Sequence, residues 1–433
     1  MTAIGKRLHL RPKRSDEFCT HLSGQSENPL FRLPLMANGV WLMASPLRIM
    51  HISTRLILGG SQENTVLSCE GQAERGHHVR LVYGPIYGPE GSLLARVRKH
   101  DGIETMETPH LTRQLNPVRD LRCYYDLRRL IRDWNPDVVH THSSKAGILG
   151  RLAAWNQDVP CVVHTIHGLA FHPYQAKWRN ALYILAERIA AKRCHRLICV
   201  ADAMCDQAFA AGIGRADQFV TVYSGMEVDR FINPCWSRDE VRGELGFGDD
   251  DFVLGTISRL AELKGHDDLL DAVSPLMRER ANLKLLWVGD GWWRDRLLKR
   301  VADMGLSRRL VHTGLVPPEH IPKYLQAMDA LAHPSYREGL PRSVPQALLS
   351  SVVVIVYDVD GAQEACAEGE TGRLVPPGDS AALRDAVQWM MDHPAERAEM
   401  ARRGQEVCRT RFDSSAMIQQ LESIYISVLK QST

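Results

Sequence analysis

His333-Pro-Ser-Tyr-Arg-Glu-Gly-Leu-Pro-Arg-Ser-Val-Pro-Gln346 follows the apolar run Met328-Asp-Ala-Leu-Ala332 and leads into Ala347-Leu-Leu349. The first run reads as a short buried strand. The last resumes a helical apolar pattern, so a loop enters a helix near Pro341. A strand, a Gly-bearing loop and a helix start together make an anion site, because free backbone N–H groups and the helix dipole both favour negative charge. Glu338 sits at the lip of that site. A carboxylate does not bind phosphate, so it is placed to accept hydrogen bonds from hydroxyls beside one. A phosphate cradle next to a hydroxyl acceptor suits a nucleotide sugar.

Working outward, short apolar runs alternate with helical patterns. Leu47 to Ile52 reads as a buried strand, followed by Gly59-Gly60 and a helix carrying Val66 and Leu67. A Gly-Gly turn alone is as consistent with a tight connection as with a phosphate turn. Val79–Tyr83, Asp137–His142, Cys161–Gly168, Arg196–Val200 and Phe219–Tyr223 read as further strands. Ligands in open α/β sheets sit beyond the carboxyl ends of strands, which places His142, Ser143 and Lys145 to meet one. His140 and His164 read as structural. Asp202 reads as a helix cap. After a Pro- and Gly-bearing linker over residues 233–248, strands at Phe252–Ile257, Leu283–Val288, Leu310–Val316 and Val352–Tyr357 follow the same rhythm. The last helix, residues 415–430, carries one apolar face that must be buried. The alternation predicts an α/β chain with two doubly wound parallel sheets, over residues 46–232 and 233–413, and a closing helix over 414–433.

The chain has 433 residues, 44% hydrophobic and 24% charged, enough for two ordinary domains. A formal net charge of +2 argues against a global field for nucleic acid. Its 10 cysteines are scattered without a Cys-x-x-Cys pair, which reads as reduced, cytoplasmic thiols. No apolar run reaches the roughly 18 residues that span a bilayer. Residues 1–45 mix Arg, Ser, Asn and Pro without a period and read as a loosely attached extension. Five arginines on the helix from Pro117 to Trp134 could meet an anionic membrane, although the interspersed Asp120, Asp126 and Asp133 make a solvated face the plainer reading.

The stretch around Glu338 resembles the signature of the family 4 retaining glycosyltransferases of GT-B fold. In those, a Glu-Gly-x-Pro loop is followed by a second Glu with seven residues between the acids. Here Glu338 matches the first acid and Gln346 stands at the second. Gln346 still accepts a bond from a ribose hydroxyl and also donates one. The phrase Ser224-Gly225-Met-Glu-Val-Asp-Arg-Phe231 resembles the family's hinge, with Gly225 and Phe231 matching. Ser258-Arg259-Leu-Ala-Glu-Leu-Lys264-Gly265 resembles its diphosphate loop, and Gly289-Asp-Gly291 its nucleotide-side Gly-x-Gly loop.

The resemblance implies two Rossmann-like domains facing a cleft and sugar transfer from a UDP-sugar or GDP-sugar to a glycan or lipid-linked acceptor, without a metal or other cofactor. It implies Arg259 and Lys264 on the diphosphate, and Glu338, Gly339 and Leu340 at the donor sugar. It also implies Gln346 at the ribose, Thr313 and Gly314 at the base, and Glu364 on the donor side. Gly59 and Gly60 would lie under the donor diphosphate and, with His167, shape the acceptor side; without the resemblance His167 would read as a core histidine. The chain resembles members that build bacterial surface polysaccharide, which implies a lipid-linked or oligosaccharide acceptor. Two rivals share the fold: an epimerase of nucleotide sugars, and a non-catalytic binder suggested by Gln346. A nicotinamide dehydrogenase is disfavoured, because no Gly-x-Gly-x-x-Gly follows the first strand.

Overall fold

The computed structural model describes residues 45–87 and 90–432. The extension expected over residues 1–45 lies, but for its last residue, outside them. The first sheet has seven parallel strands: β1 (Arg48–Ser53), β2 (His78–Tyr83), β3 (Ile103–Glu107), β4 (Val138–His142), β5 (Cys161–Ile166), β6 (Arg196–Cys199) and β7 (Phe219–Thr221). Their order is β3-β2-β1-β4-β5-β6-β7. The second sheet has six: β8 (Phe252–Ile257), β9 (Leu283–Val288), β10 (Leu310–His312), β11 (Ala330–His333), β12 (Val353–Tyr357) and β13 (Gly372–Val375), in the order β10-β9-β8-β11-β12-β13. Central strands such as β4 and β12 are buried along their whole length, which is why β12 reads as an unbroken apolar run, whereas β4 buries two histidines as well. The edge strand β3 was not foreseen; its Ile-Glu-Thr-Met-Glu alternates only weakly and buries Ile103 alone.

Three local expectations are corrected. Ser143–Gly147 is not a loop, since the helix Ser144–Trp155 begins within it. The expected linker 233–248 contains the helix Arg238–Leu245, capped by the Ser237 hydroxyl, which accepts from the Glu240 N–H. Its Val241, together with Met226 and Phe231 of the hinge, packs with Leu331 and Val354 of the second sheet. Asp202 does not cap; it is the first residue of its helix, and its carboxylate accepts the Thr221 hydroxyl instead.

The chain crosses between domains twice, side by side. On the way out Met226 N–H donates to the Phe412 carbonyl at 2.7 Å, and on the way back Ser414 N–H donates to the Met226 carbonyl at 3.1 Å. The returning helix Ser414–Ser432 lays Met417, Ile418, Leu421, Ile424, Tyr425 and Val428 against Ile49, Val138, Cys161 and Ile198 of the first sheet. A methyl on Gly71 would fall 2.0 Å from Ile418, so the approach of this helix to Gly60–Glu74 depends on a glycine.

Candidate active site

In each sheet the strand order reverses once, between β1 and β4 and between β8 and β11. Crevices at such reversals, beyond the carboxyl ends of the strands, are where open α/β sheets take ligands. Arg259 and Lys264 leave β8, and Glu338 leaves β11, so all three flank the second reversal. Gly59 and Gly60 leave β1, and His167 follows β5 close to the first.

Glu338 is the hub. The Lys264 ammonium donates to its carboxylate, and His333 Nε2 lies 2.9 Å from the same oxygen. His333 is held in turn by Ser343, whose hydroxyl lies 3.0 Å from Nδ1. The Glu338 N–H donates to Asp360 at 2.7 Å, fixing the loop from below. Burial alone would raise this carboxyl, but the Lys264 charge and the His333 bond outweigh it and hold it well below the usual carboxylate range. It is therefore ionised at neutral pH and ready to accept from hydroxyls. Sequence reasoning assigned no role to His333 or Asp360; both sit at strand ends of this sheet, the one positional clue they offered.

Arg259 lies over Trp292, 5.7 Å from the ring centroid, and points at Glu90 of the first domain, 3.8 Å away. Glu90 also takes Arg55 at 2.7 Å. The N–H groups of Gly339 and Leu340 have no hydrogen-bond acceptor among the described residues. The Leu340 side chain is buried in the second domain's core, so its contribution is its backbone. The Gln346 amide is buried in the helix Ser343–Leu349 and has no side-chain partner among the described residues.

The loops after β8, β9 and β10 are laced together. Gly289 N–H donates to Gly314 at 3.0 Å. Gly289 has φ +131 and lies so near Ser258 that a methyl would stand 2.2 Å from its carbonyl oxygen; a methyl on Gly291 would stand 2.3 Å from that of Leu260. Thr313 turns its hydroxyl onto the Gly314 carbonyl at 3.0 Å. These glycines let three loops close over one crevice.

The two domains touch through the signature itself. Gly339 lies against the His167 carbonyl, 2.1 Å from where a methyl would be. Buried Arg342 donates to the Gly225 carbonyl at 2.9 Å and reaches Glu63 at 3.3 Å; Gly60 has no side chain where Arg342 passes. Glu364, expected beside the donor, instead accepts from the Asp202 and Ala203 N–H groups at 2.7 and 3.0 Å. It caps a helix of the opposite domain, which is why Asp202 need not. His142, Ser143 and Lys145 are likewise spent inside the fold: on His51 and His167, on Thr54, and on Asp120.

Behind His167 lies a group that sequence reasoning did not connect. His142 Nδ1 is 3.0 Å from His167 Nε2, and His142 Nε2 is 2.9 Å from His51 Nδ1. His51 Nε2 is 2.8 Å from Gln72 Oε1, and Gln72 Nε2 donates to the Tyr425 hydroxyl at 3.2 Å. His140 bonds Tyr425 at 2.6 Å and Thr165 at 2.7 Å. Burial pulls His51 down to about 4 and, aided by the Arg342 charge, His167 to about 3.

Two paired switch points, with cations and an acid on one and a histidine on the other, are the arrangement that the resemblance to a glycosyltransferase of GT-B fold implies. Residues 59–225 match the model of the glycosyl transferase 4-like domain, and residues 237–407 that of the glycosyl transferases group 1; the chain belongs to that group. It is 28% identical to the UDP-Gal:alpha-D-GlcNAc-diphosphoundecaprenol alpha-1,3-galactosyltransferase of Escherichia coli, over 73% of this chain and 81% of that one. It is 23% identical to the capsular polysaccharide biosynthesis glycosyltransferase CapM of Staphylococcus aureus, over 77% and 89%. Among solved structures, Anabaena Alr3699/HepE in complex with UDP-glucose superposes with a TM-score of 0.76 at 20% identity, covering 88% of this chain and 100% of that one.

Proposed function

We propose that the chain moves a sugar from a nucleoside diphosphate sugar to a hydroxyl of a glycan or lipid-linked acceptor, with retention at the anomeric carbon, in surface-polysaccharide synthesis. The observation that carries this is the convergence of Lys264, His333 and Glu338 at the second switch point, with Arg259 on the neighbouring loop and His167 across the cleft. The leaving diphosphate gains negative charge; Arg259, Lys264 and the open N–H groups of Gly339 and Leu340 are donors fixed in advance for it. Ionised Glu338 accepts from the sugar hydroxyls, and the Gln346 amide is free for the ribose. The UDP-Gal donor named for the Escherichia coli relative supports a uridine donor over a guanosine one. The undecaprenol-linked substrate named for the Escherichia coli relative supports a lipid-linked acceptor.

A membrane-borne acceptor fits a second observation. The helices Pro117–Trp134 and Lys177–Ala191 flank Ser144–Trp155 on one side of the first domain. The first exposes Val118, Leu121 and Tyr125, and the second Trp178, Leu182, Leu185 and Ile189, at helical spacing. Exposed Arg119, Arg122, Lys177, Arg179, Arg188 and Lys192 border these stripes. Apolar faces rimmed by cations suit the interface of an anionic bilayer. Among the described residues no helix is long and apolar enough to cross a membrane.

The test is a thermal-shift screen of UDP- and GDP-sugars, repeated with the best donor on Arg259→Ala and Glu338→Ala. Both variants should lose most of the shift; full retention in both would refute the site. Release of an altered nucleotide sugar without acceptor would replace the transferase with an epimerase.

A further inference from the structure

Four buried side chains stand between the acceptor-side His167 and the returning C-terminal helix. His51, His140 and His142 are 0%, 0% and 1% exposed, and Gln72 is 0% exposed. Uncharged imidazole is the form such a site tolerates, since desolvation disfavours the cation. A neutral imidazole carries one N–H and one bare nitrogen, so each ring in a chain must donate on one side and accept on the other. A line of such rings has a direction, and whatever fixes one end fixes every tautomer along it.

The end is fixed by Gln72. Its Nε2 is committed to the Tyr425 hydroxyl, which leaves Oε1 to accept from His51 Nε2. His51 Nδ1 is then bare and accepts from His142 Nε2. His142 Nδ1 is bare in its turn and accepts from His167 Nε2. His167 is left with a bare Nδ1 on its partly exposed side, where it has no protein partner among the described residues. The side chain of Arg342 lies close enough to disfavour a proton there.

His51, His140 and His142 also bring nitrogens within 4.8 Å of one another, a spacing that a metal ion could span. All six of their ring nitrogens, however, already face a protein partner: Gln72 and His142 for His51, Tyr425 and Thr165 for His140, His51 and His167 for His142. Coordination would have to break those bonds, so the hydrogen-bonded chain accounts for the trio better than a ligand set does.

We propose that Gln72, His51 and His142 are positioning residues which, anchored by Tyr425, set the tautomer of His167 so that it offers the acceptor hydroxyl a hydrogen-bond-accepting Nδ1. This rests on the reading of His167 as an acceptor-side group. No proton needs to travel along the chain. An acceptor hydroxyl donates to Nδ1, which turns its oxygen lone pair toward the anomeric carbon. An inverted chain would present an N–H there and occupy that lone pair instead.

The experiment is 15N imidazole spectroscopy of the full-length protein without substrate, on wild type, Gln72→Met and Tyr425→Phe. The wild type should show His51, His142 and His167 neutral, with the proton on Nε2. Gln72→Met removes the acceptor and Tyr425→Phe unlocks the amide, and either should give His167 a mixture of tautomers. In transfer assays those variants should raise the acceptor KM in proportion to the fraction of His167 in the wrong tautomer, about twofold for an even mixture, with donor affinity unchanged. Tyr425→Phe keeps the ring's volume, so it serves even where Gln72→Met folds poorly. A wild-type His167 protonated on Nδ1 would overturn the proposal. So would a shifted tautomer with an unchanged acceptor KM. The tautomers are read without substrate, so failure there sinks the chain alone, whereas a wild type inert with every donor sinks the transferase reading.

Discussion

Lys264 hydrogen-bonds the carboxylate of Glu338 across the switch point of the second sheet, so the cation proposed for the phosphate and the acid proposed for the sugar hold each other. Both side chains are mostly shielded from water. Removing the lysine leaves a carboxylate in a site that burial penalises, and the loss exceeds the net worth of the pair. Lys264→Met should therefore destabilise more than Glu338→Gln, and the double variant should recover part of the difference. A coupling on the order of 1–2 kcal/mol is expected from a urea-unfolding cycle. Additive single losses would show that the two groups act independently.

Arg342 joins signature loop, hinge and first domain through Gly225 and Glu63. Arg342→Met should cost about 2 kcal/mol by leaving the buried Gly225 carbonyl and Glu63 underpaired. It should also let the domains part, raising the radius of gyration in solution scattering. An unchanged radius would mean that other contacts, such as the Glu364 cap, suffice to hold the cleft.

The buried histidines make acid a selective stress. His51 titrates at about 4 in the fold, against 6.5 for the ordinary side chain. A depressed folded value means that the unfolded chain takes up the proton first. The stabilisation is complete above about pH 6.5 and drains away as pH falls toward 4, on the order of 3 kcal/mol for this residue. His167 adds to the same window. The melting temperature should thus fall steeply between pH 6.5 and 4, and His51→Gln should flatten that slope while lowering the neutral-pH value. A melting temperature constant over this range would contradict the burial of these rings.

Trp178→Ser with Leu182→Ser should abolish sedimentation with anionic vesicles and leave the melting temperature within about 2 °C, because both side chains are exposed and surface substitutions change stability little. Wild-type protein that stays in the supernatant at low salt would remove the bilayer from the proposal.

Much of this architecture was legible because parallel strands buried on both faces write themselves as short apolar runs. Gly-bearing loops after β1, β8, β9 and β11 then mark the ends where ligands sit. What stayed hidden has a common cause: it depends on residues distant in the chain. Glu364, from the short helix Ala362–Ala365, reaches across to cap Asp202–Ala210, and nothing local to either predicts the meeting. His142 reads as a ligand-facing strand end because its partners, His51 and His167, come from β1 and from the loop after β5. The helix Arg238–Leu245 was obscured because Ser237 and Gly246 punctuate a segment so short that composition alone makes it look like a linker.

The C-terminal helix gives the fold a temporal order. Met417, Leu421 and Tyr425 cover apolar side chains of β1, β4 and β5, yet they are synthesised only after the whole second domain. The nascent first domain must therefore wait, one flank of its sheet uncovered, through synthesis of the whole second domain. Its sheet is sealed only once that helix has been made, which makes that interval the one in which a chaperone, or a premature stop codon, decides the fate of the enzyme.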